Sequence, residues 1–169
     1  MPDKLKRHFL KAKEAKRLLD KASSRLGLTT EQLLKGKCDV EIVESGDADI
    51  ILVDGKQFFF QVGEGIYPTL TFVEYSKLAP KVVVDMGAIP FVCKGANIMA
   101  PGVRKFEGKF KKGDLVIVAD EKYGKPIALG EILYDKEEIE DIKEGVVVRN
   151  IHFVGDKVWS LLKALTATV

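Results

Sequence analysis

The chain has 169 residues, room for one ordinary domain or two small ones sharing an interface. An apolar fraction of 46% supports a folded core and excludes disorder, while no stretch approaches the ~18 apolar residues of a membrane span. The net charge of +2 is unevenly spread: residues 1–37 carry eleven Lys/Arg and four Asp/Glu, residues 38–80 two and eight, and residues 81–169 fourteen and thirteen.

Leu5, Phe9, Ala12, Ala15, Leu19, Ala22 and Leu26 recur at spacings of three and four, which predicts one amphipathic helix from about Lys4 to Leu26. Lys4, Arg7, Lys11, Arg17, Lys21 and Arg25 lie off that stripe and make the segment basic. Gly27 is placed as its C-terminal stop. A short second helix is expected next, with Thr29 or Thr30 as N-cap and Gly36 beyond its end. Residues 38–44 then alternate as a strand, Asp49–Val53 is a compact apolar strand, and Asp54-Gly55 reads as a type I′ turn into the strand Lys56–Val62. Tyr67-Pro68-Thr69 is read as the start of a helix through Leu78, which Pro80 ends. The pattern restarts with a strand at Lys81–Val84, so the domains are set at 1–79 and 80–169.

The second half has many glycines. A short helix is expected over residues 88–94, between Gly87 and Gly95, and Ile98-Met99 is extended. Strands follow over 114–119, 126–133 and 146–154, with one acidic helical turn within 136–143. Short strands with glycine-rich connections suggest a small barrel, so the fold class is α+β.

Catalytic and metal motifs are scarce. Cys38 and Cys93 are isolated thiols, which form neither a disulfide framework nor a metal site, and no cofactor is expected. There are two histidines. His8 reads as a solvated residue of the basic helix, and a packed imidazole is the default for His152 in its apolar strand. No P-loop, dinucleotide fingerprint or nucleophile elbow is present. Gly87, Gly95 and Gly102 are either tight corners or places where backbone meets a ligand, the helix start near Gly87 offering N–H groups suited to phosphate. Residues 104–112 hold five cations and one acid, with Phe106 and Phe110 interleaved. That run reads either as a nucleic-acid contact or as a solvated loop over two buried rings.

The run from Val84 to Val103, with the phrase Gly95-Ala96-Asn97-Ile98-Met99-Ala100-Pro101-Gly102, resembles the opening motif of PUA domains. With Asn150-Ile151-His152-Phe153, the downstream Trp159 and Tyr67-Pro68-Thr69-Leu70, it resembles the malignant-T-cell-amplified-sequence family of translation factors, in an archaeal form. The resemblance is carried by about residues 56–160. It implies an N-terminal α+β pre-PUA domain followed by a C-terminal PUA pseudo-β-barrel. It also implies binding of structured RNA, namely the tRNA acceptor end and small-subunit rRNA, in initiation or recycling. A partner like density-regulated protein is expected in trans, in the cytoplasm, with no membrane involved.

On this reading Gly87, Ala88, Lys94, Gly95, Ala96 and Asn97 line a backbone-facing groove. Arg104, Lys105, Lys109, Lys111 and Lys112 hold phosphates, and Arg149 and His152 add contacts from the last strand. No catalytic residue is assigned. The alternative is an RNA-modification enzyme or its accessory subunit, for which Asp85 and Asp114 are the carboxylates near the glycine motif. A third reading makes the N-terminal half a docking module for a partner.

Overall fold

The computed structural model describes residues 5–33 and 36–167. Strands β1 (Lys6–Phe9), β2 (Val40–Glu44), β3 (Asp49–Val53), β4 (Lys56–Val62) and β5 (Gly65–Pro68) form one antiparallel sheet in chain order. Between β3 and β4, Asp54 at φ 50° and Gly55 at φ 80° are both left-handed, as a type I′ turn requires. Helix α1 (Ala12–Leu26) buries Ala15, Leu19 and Ala22 and ends on Gly27 at φ 70°. The short α2 (Thr30–Leu33) follows.

Two sequence expectations fail in this sheet. The long N-terminal helix does not begin near Lys4, a residue outside those described: Lys6–Phe9 is a strand, paired with β2 from Lys6↔Glu44 to Phe9↔Glu41. Leu5 and Phe9 fit a helical spacing, but the open edge of β2 offers backbone partners to the whole segment. Arg7 adds a two-pronged bond to Glu41 at 2.8 and 3.1 Å. Phe9 is consequently 67% exposed instead of lying on the buried stripe. Likewise Tyr67 and Pro68 belong to β5, and the helix, α3, spans only Val73–Leu78. Thr69 explains the difference: its N–H bonds Phe58 O and its hydroxyl bonds Gln57 O, which keeps the chain on the sheet before the helix starts.

The second sheet is formed by β6 (Lys81–Val84), β7 (Ile98–Met99), β8 (Val103–Glu107), β9 (Leu115–Asp120), β10 (Pro126–Ile132) and β11 (Val146–Phe153). Its spatial order is β7-β11-β10-β9-β6-β8, with β6 and β9 parallel and the other pairs antiparallel. The sheet curls into the half-barrel expected of the C-terminal half. Helices α4 (Ile89–Val92) and α5 (Lys136–Ile139) sit in its connections. The basic run at 104–112, taken as a loop in one of its two readings, begins in an edge strand, because Lys105 to Glu107 pair with β6.

The two halves share a wall. Every residue of β9 is buried. Leu115 and Ile117 belong to a core with α1 and the first sheet, whereas Val116 and Val118 belong to a core with Val82, Val92, Ile98 and Val148. Alternating strand side chains thus face opposite cores. A helix absent from the sequence reading, α6 (Lys157–Ala167), sends Leu162 and Leu165 back into the first core. Its apolar residues Val158, Leu161, Leu162 and Leu165 are spaced helically, and the carboxylate of Asp156 accepts from Trp159 N–H at 2.7 Å as its cap. No helix among the described residues is long and apolar enough to cross a membrane.

Candidate nucleic-acid interface

The predicted site residues fall into separate places on the second sheet. The first is a cap built by the chain between β6 and β8. Asp85 starts a 3-10 turn, Met86–Ala88, and its carboxylate accepts from Ala88 N–H at 2.9 Å. Met86 N–H reaches Glu121 Oε1 at 3.3 Å. These bonds correct one expectation. The turn near Gly87 does not offer Ala88 and Met86 N–H groups to a phosphate, because two carboxylates already take them and oppose an anion there.

After α4 the chain turns at Gly95, whose φ of 99° is the left-handed geometry expected from sequence. A Cβ on Gly95 would also press on the Phe153 ring at 3.3 Å. Asn150 holds this turn from inside: its Nδ2 donates to Val92 O at 3.0 Å and to Ala96 O at 2.9 Å. Asn97 completes the brace by accepting Asn150 N–H on Oδ1 at 2.9 Å. Lys94, Gly95, Ala96 and Asn97 are all exposed on the outer side of this turn. Phe91, on α4, is 67% exposed. Sequence reading left it out of the site, although a single helical turn has room to bury Val92 and not its neighbour as well.

Because Asn97 is a brace, Asn97→Ala should lower stability by about 1 kcal/mol, the usual worth of one such hydrogen bond. Urea unfolding will measure this. A wild-type midpoint would show that the bond to Asn150 contributes nothing.

Arg104 lies at this end too, paired with Glu121 at 3.1 Å, and Lys105 pairs with Glu107 along β8 at 2.9 Å. The other lysines are at the opposite end of the β6–β9 pair. Gly108 packs on Pro80, whose carbonyl accepts from Ile117 N–H, while Val84 lies beside Asp120 at the far end. At ~3.3 Å per strand residue the two groups are roughly 10 Å apart or more. Lys109, Lys111 and Lys112 have no acidic side-chain partner among the described residues. Phe106 and Phe110 pack together beneath them with centroids 6.0 Å apart, so the rings are structural and do not interleave with the charge in solvent.

Arg149 joins this second group. It reaches Glu131 Oε2 at 3.4 Å, the oxygen that Arg25 of α1 holds at 3.1 Å. Arg25 also donates to Gly113 O at 3.0 Å, tying the basic helix to the turn that carries the lysines. Arg25 was placed on the basic helix face by the sequence, but nothing local could assign it a partner 106 positions away.

His152 is corrected outright as an RNA contact. Its side chain is 0% exposed and lies edge-on to Phe60 at 5.1 Å. Nδ1 donates to Asp156 at 2.8 Å, leaving Nε2 to accept Leu70 N–H at 3.4 Å. The imidazole links the two halves. Burial raises both the Cys38 and the Cys93 thiols, with Asp54 adding to the effect at Cys38. No three His, Cys, Asp or Glu side chains among the described residues gather as a metal site.

Residues 80–154 match the PUA domain family, and residues 6–76 match a domain of unknown function, DUF1947. The chain is 37% identical to an uncharacterized protein of Methanocaldococcus jannaschii, over 92% of this chain and 96% of that one. It is 33% identical to translation machinery-associated protein 20 of Saccharomyces cerevisiae, over 77% and 76%. Malignant T-cell-amplified sequence 1 of Rattus norvegicus is 37% identical over 77% and 75%. A solved PUA-domain structure from Aeropyrum pernix matches with a TM-score of 0.80 at 30% identity, covering 95% of this chain and 92% of that one. The motif between β6 and β8, the curled sheet and the preceding α+β half thus recur together, and the chain belongs to the PUA-domain family that includes malignant T-cell-amplified sequence 1 and translation machinery-associated protein 20.

Proposed function

We propose that this protein binds structured RNA in translation, at the tRNA acceptor end or on small-subunit rRNA, and catalyses no reaction. The observation that carries the reading is the turn after β8. Three lysines within four positions, Lys109, Lys111 and Lys112, have no acidic side-chain partner among the described residues. Lysines left unpaired on a PUA sheet suit backbone phosphates, which dominate RNA affinity. Lys94 and Phe91 at the other end add a charge and an exposed ring for an unpaired base. The relative named for the translation machinery supports the cellular setting. The division at 79/80 and a density-regulated-protein-like partner in trans belong to the same reading.

The enzyme alternative loses its two carboxylates to local structure. Asp85 caps the turn at Ala88, and Asp114 Oδ2 accepts Lys111 N–H at 3.0 Å. Nucleoside analysis of tRNA incubated with the pure protein should show no change.

The binding test is a salt titration with tRNA and with small subunits. On single-stranded contacts log K falls with log salt at about −0.7 per neutralised phosphate. Reversing Lys109, Lys111 and Lys112 to glutamate should weaken binding at least tenfold and flatten the slope by about 2. Unchanged affinity and slope would remove the turn from the interface. A wild-type protein that binds neither RNA better than an uncharged polymer would overturn the function.

A further inference from the structure

Where the two halves meet, a cleft of about 540 Å³ opens between α1, α3 and the turn before β9. That volume is within the ~300–1,000 Å³ of small-molecule sites. Lys109 and Lys111 stand in one wall, exposed and without an acidic side-chain partner among the described residues. Leu78, a large apolar side chain left 58% exposed, adds an apolar side to the cleft. Leu28 and Pro80 extend that apolar side.

The electrostatics favour an anion. Arg25 also lines the cleft, but Glu131 and Gly113 O hold its guanidinium, so the uncompensated positive charge is that of the two lysines. Asp114 is the acid among the described lining residues, and one of its oxygens is already occupied by Lys111 N–H. Tyr75 also lines the cleft, and burial pushes its phenol well above the usual range, so it stays neutral.

A simple anion would need the lysines but not the apolar wall, and an apolar ligand the reverse. A nucleotide has a charged end and a flat, weakly polar end. We propose that this cleft holds one unpaired nucleotide, its phosphate on Lys109 and Lys111 and its base against Leu28 and Leu78, supplied by the RNA the protein binds. This rests on the RNA-binding reading. Since the walls come from both halves, neither half contains the site alone, and the cleft selects unpaired RNA over a fully paired helix.

The test uses the full chain. Backbone NMR spectra are followed during titration with 5′-AMP, and affinities are measured for tRNA, a five-nucleotide unpaired RNA and a fully paired RNA duplex. Shifts should centre on Leu28, Leu78 and Lys109. Leu78→Asp, at an exposed position, should weaken the unpaired RNA at least fivefold and leave the duplex unchanged. The AMP titration of the wild type decides the question even if that variant folds poorly. If tRNA binds while AMP moves nothing in the cleft, the cleft assignment falls and the RNA function stands. AMP bound in the cleft of a protein that binds no RNA would make it a free-nucleotide site and overturn the RNA source. Binding of none of the probes would overturn both.

Discussion

Gly130→Ala is expected to cost about 3 kcal/mol or more, a large part of the ~5–15 kcal/mol that holds a domain of ordinary stability together. Gly130 is buried in β10 where the register with β11 shifts. A Cβ there would overlap Val148 Cγ1 and stand 3.0 Å from Arg149 O. The carbonyl cannot retreat without opening the β10–β11 ladder, and Val148 is 0% exposed in the second core. The cost is therefore one of space, and it is separable. Val148→Ala alone leaves a cavity, but in the Gly130→Ala background it removes the worse overlap. The double variant should be at least 1 kcal/mol more stable than the two single losses would sum to. Gly102→Ala is the control, since the nearest atom to its Cβ is Ala88 Cβ at 3.4 Å, an ordinary contact. If Gly130→Ala unfolds in urea at the midpoint of Gly102→Ala, the crowding argument is wrong.

What the sequence made legible was local. Asp54-Gly55 has a turn chemistry that few backbones satisfy, and Gly95 marked a left-handed turn before any fold was known. The glycine and Asn-Ile-Met pattern after β6 carried the family and with it the C-terminal half. What stayed hidden depended on partners far along the chain. Leu5 and Phe9 obey the helical period of α1, and only the free edge of β2, more than thirty positions later, makes Lys6–Phe9 a strand. The basic residues of α1 lie off its apolar stripe with no local sign of their partners, yet Arg25 is committed to Glu131 and Gly113. The cluster at 104–112 read as one patch, and the strand β8 divides it between two ends of a sheet. The proposed site therefore rests on the charges that have no acidic side-chain partner among the described residues.

His152 shows the same limit from the inside, since a lone histidine in an apolar strand gives no hint of the residue it serves. Asp156→Ala is expected to destabilise the protein by about 3–5 kcal/mol, the cost of breaking a buried, hydrogen-bonded polar set by removing one member. The carboxylate accepts from His152 Nδ1 at 2.8 Å, Phe153 N at 2.9 Å and Trp159 N at 2.7 Å. Without it the α6 cap is lost, and the imidazole has no partner to keep its proton on Nδ1. Nε2 then need not remain an acceptor for Leu70 N–H, so the link between the halves weakens as well. The pH dependence follows from the carboxyl group itself. Burial raises it, but the hydrogen bond from His152 and the N–H groups of Trp159 and Phe153 outweigh burial and hold it below the usual range. A depressed native value means the unfolded chain takes up the proton first as pH falls. The stabilisation is complete above the ordinary carboxylate range near pH ~4 and is lost as pH drops through the lower native value. Urea unfolding between pH 7 and pH 2 should therefore show wild-type stability falling on the acid side, with a shallower fall in Asp156→Ala. Parallel curves for the two proteins would show that Asp156 is not the group that titrates.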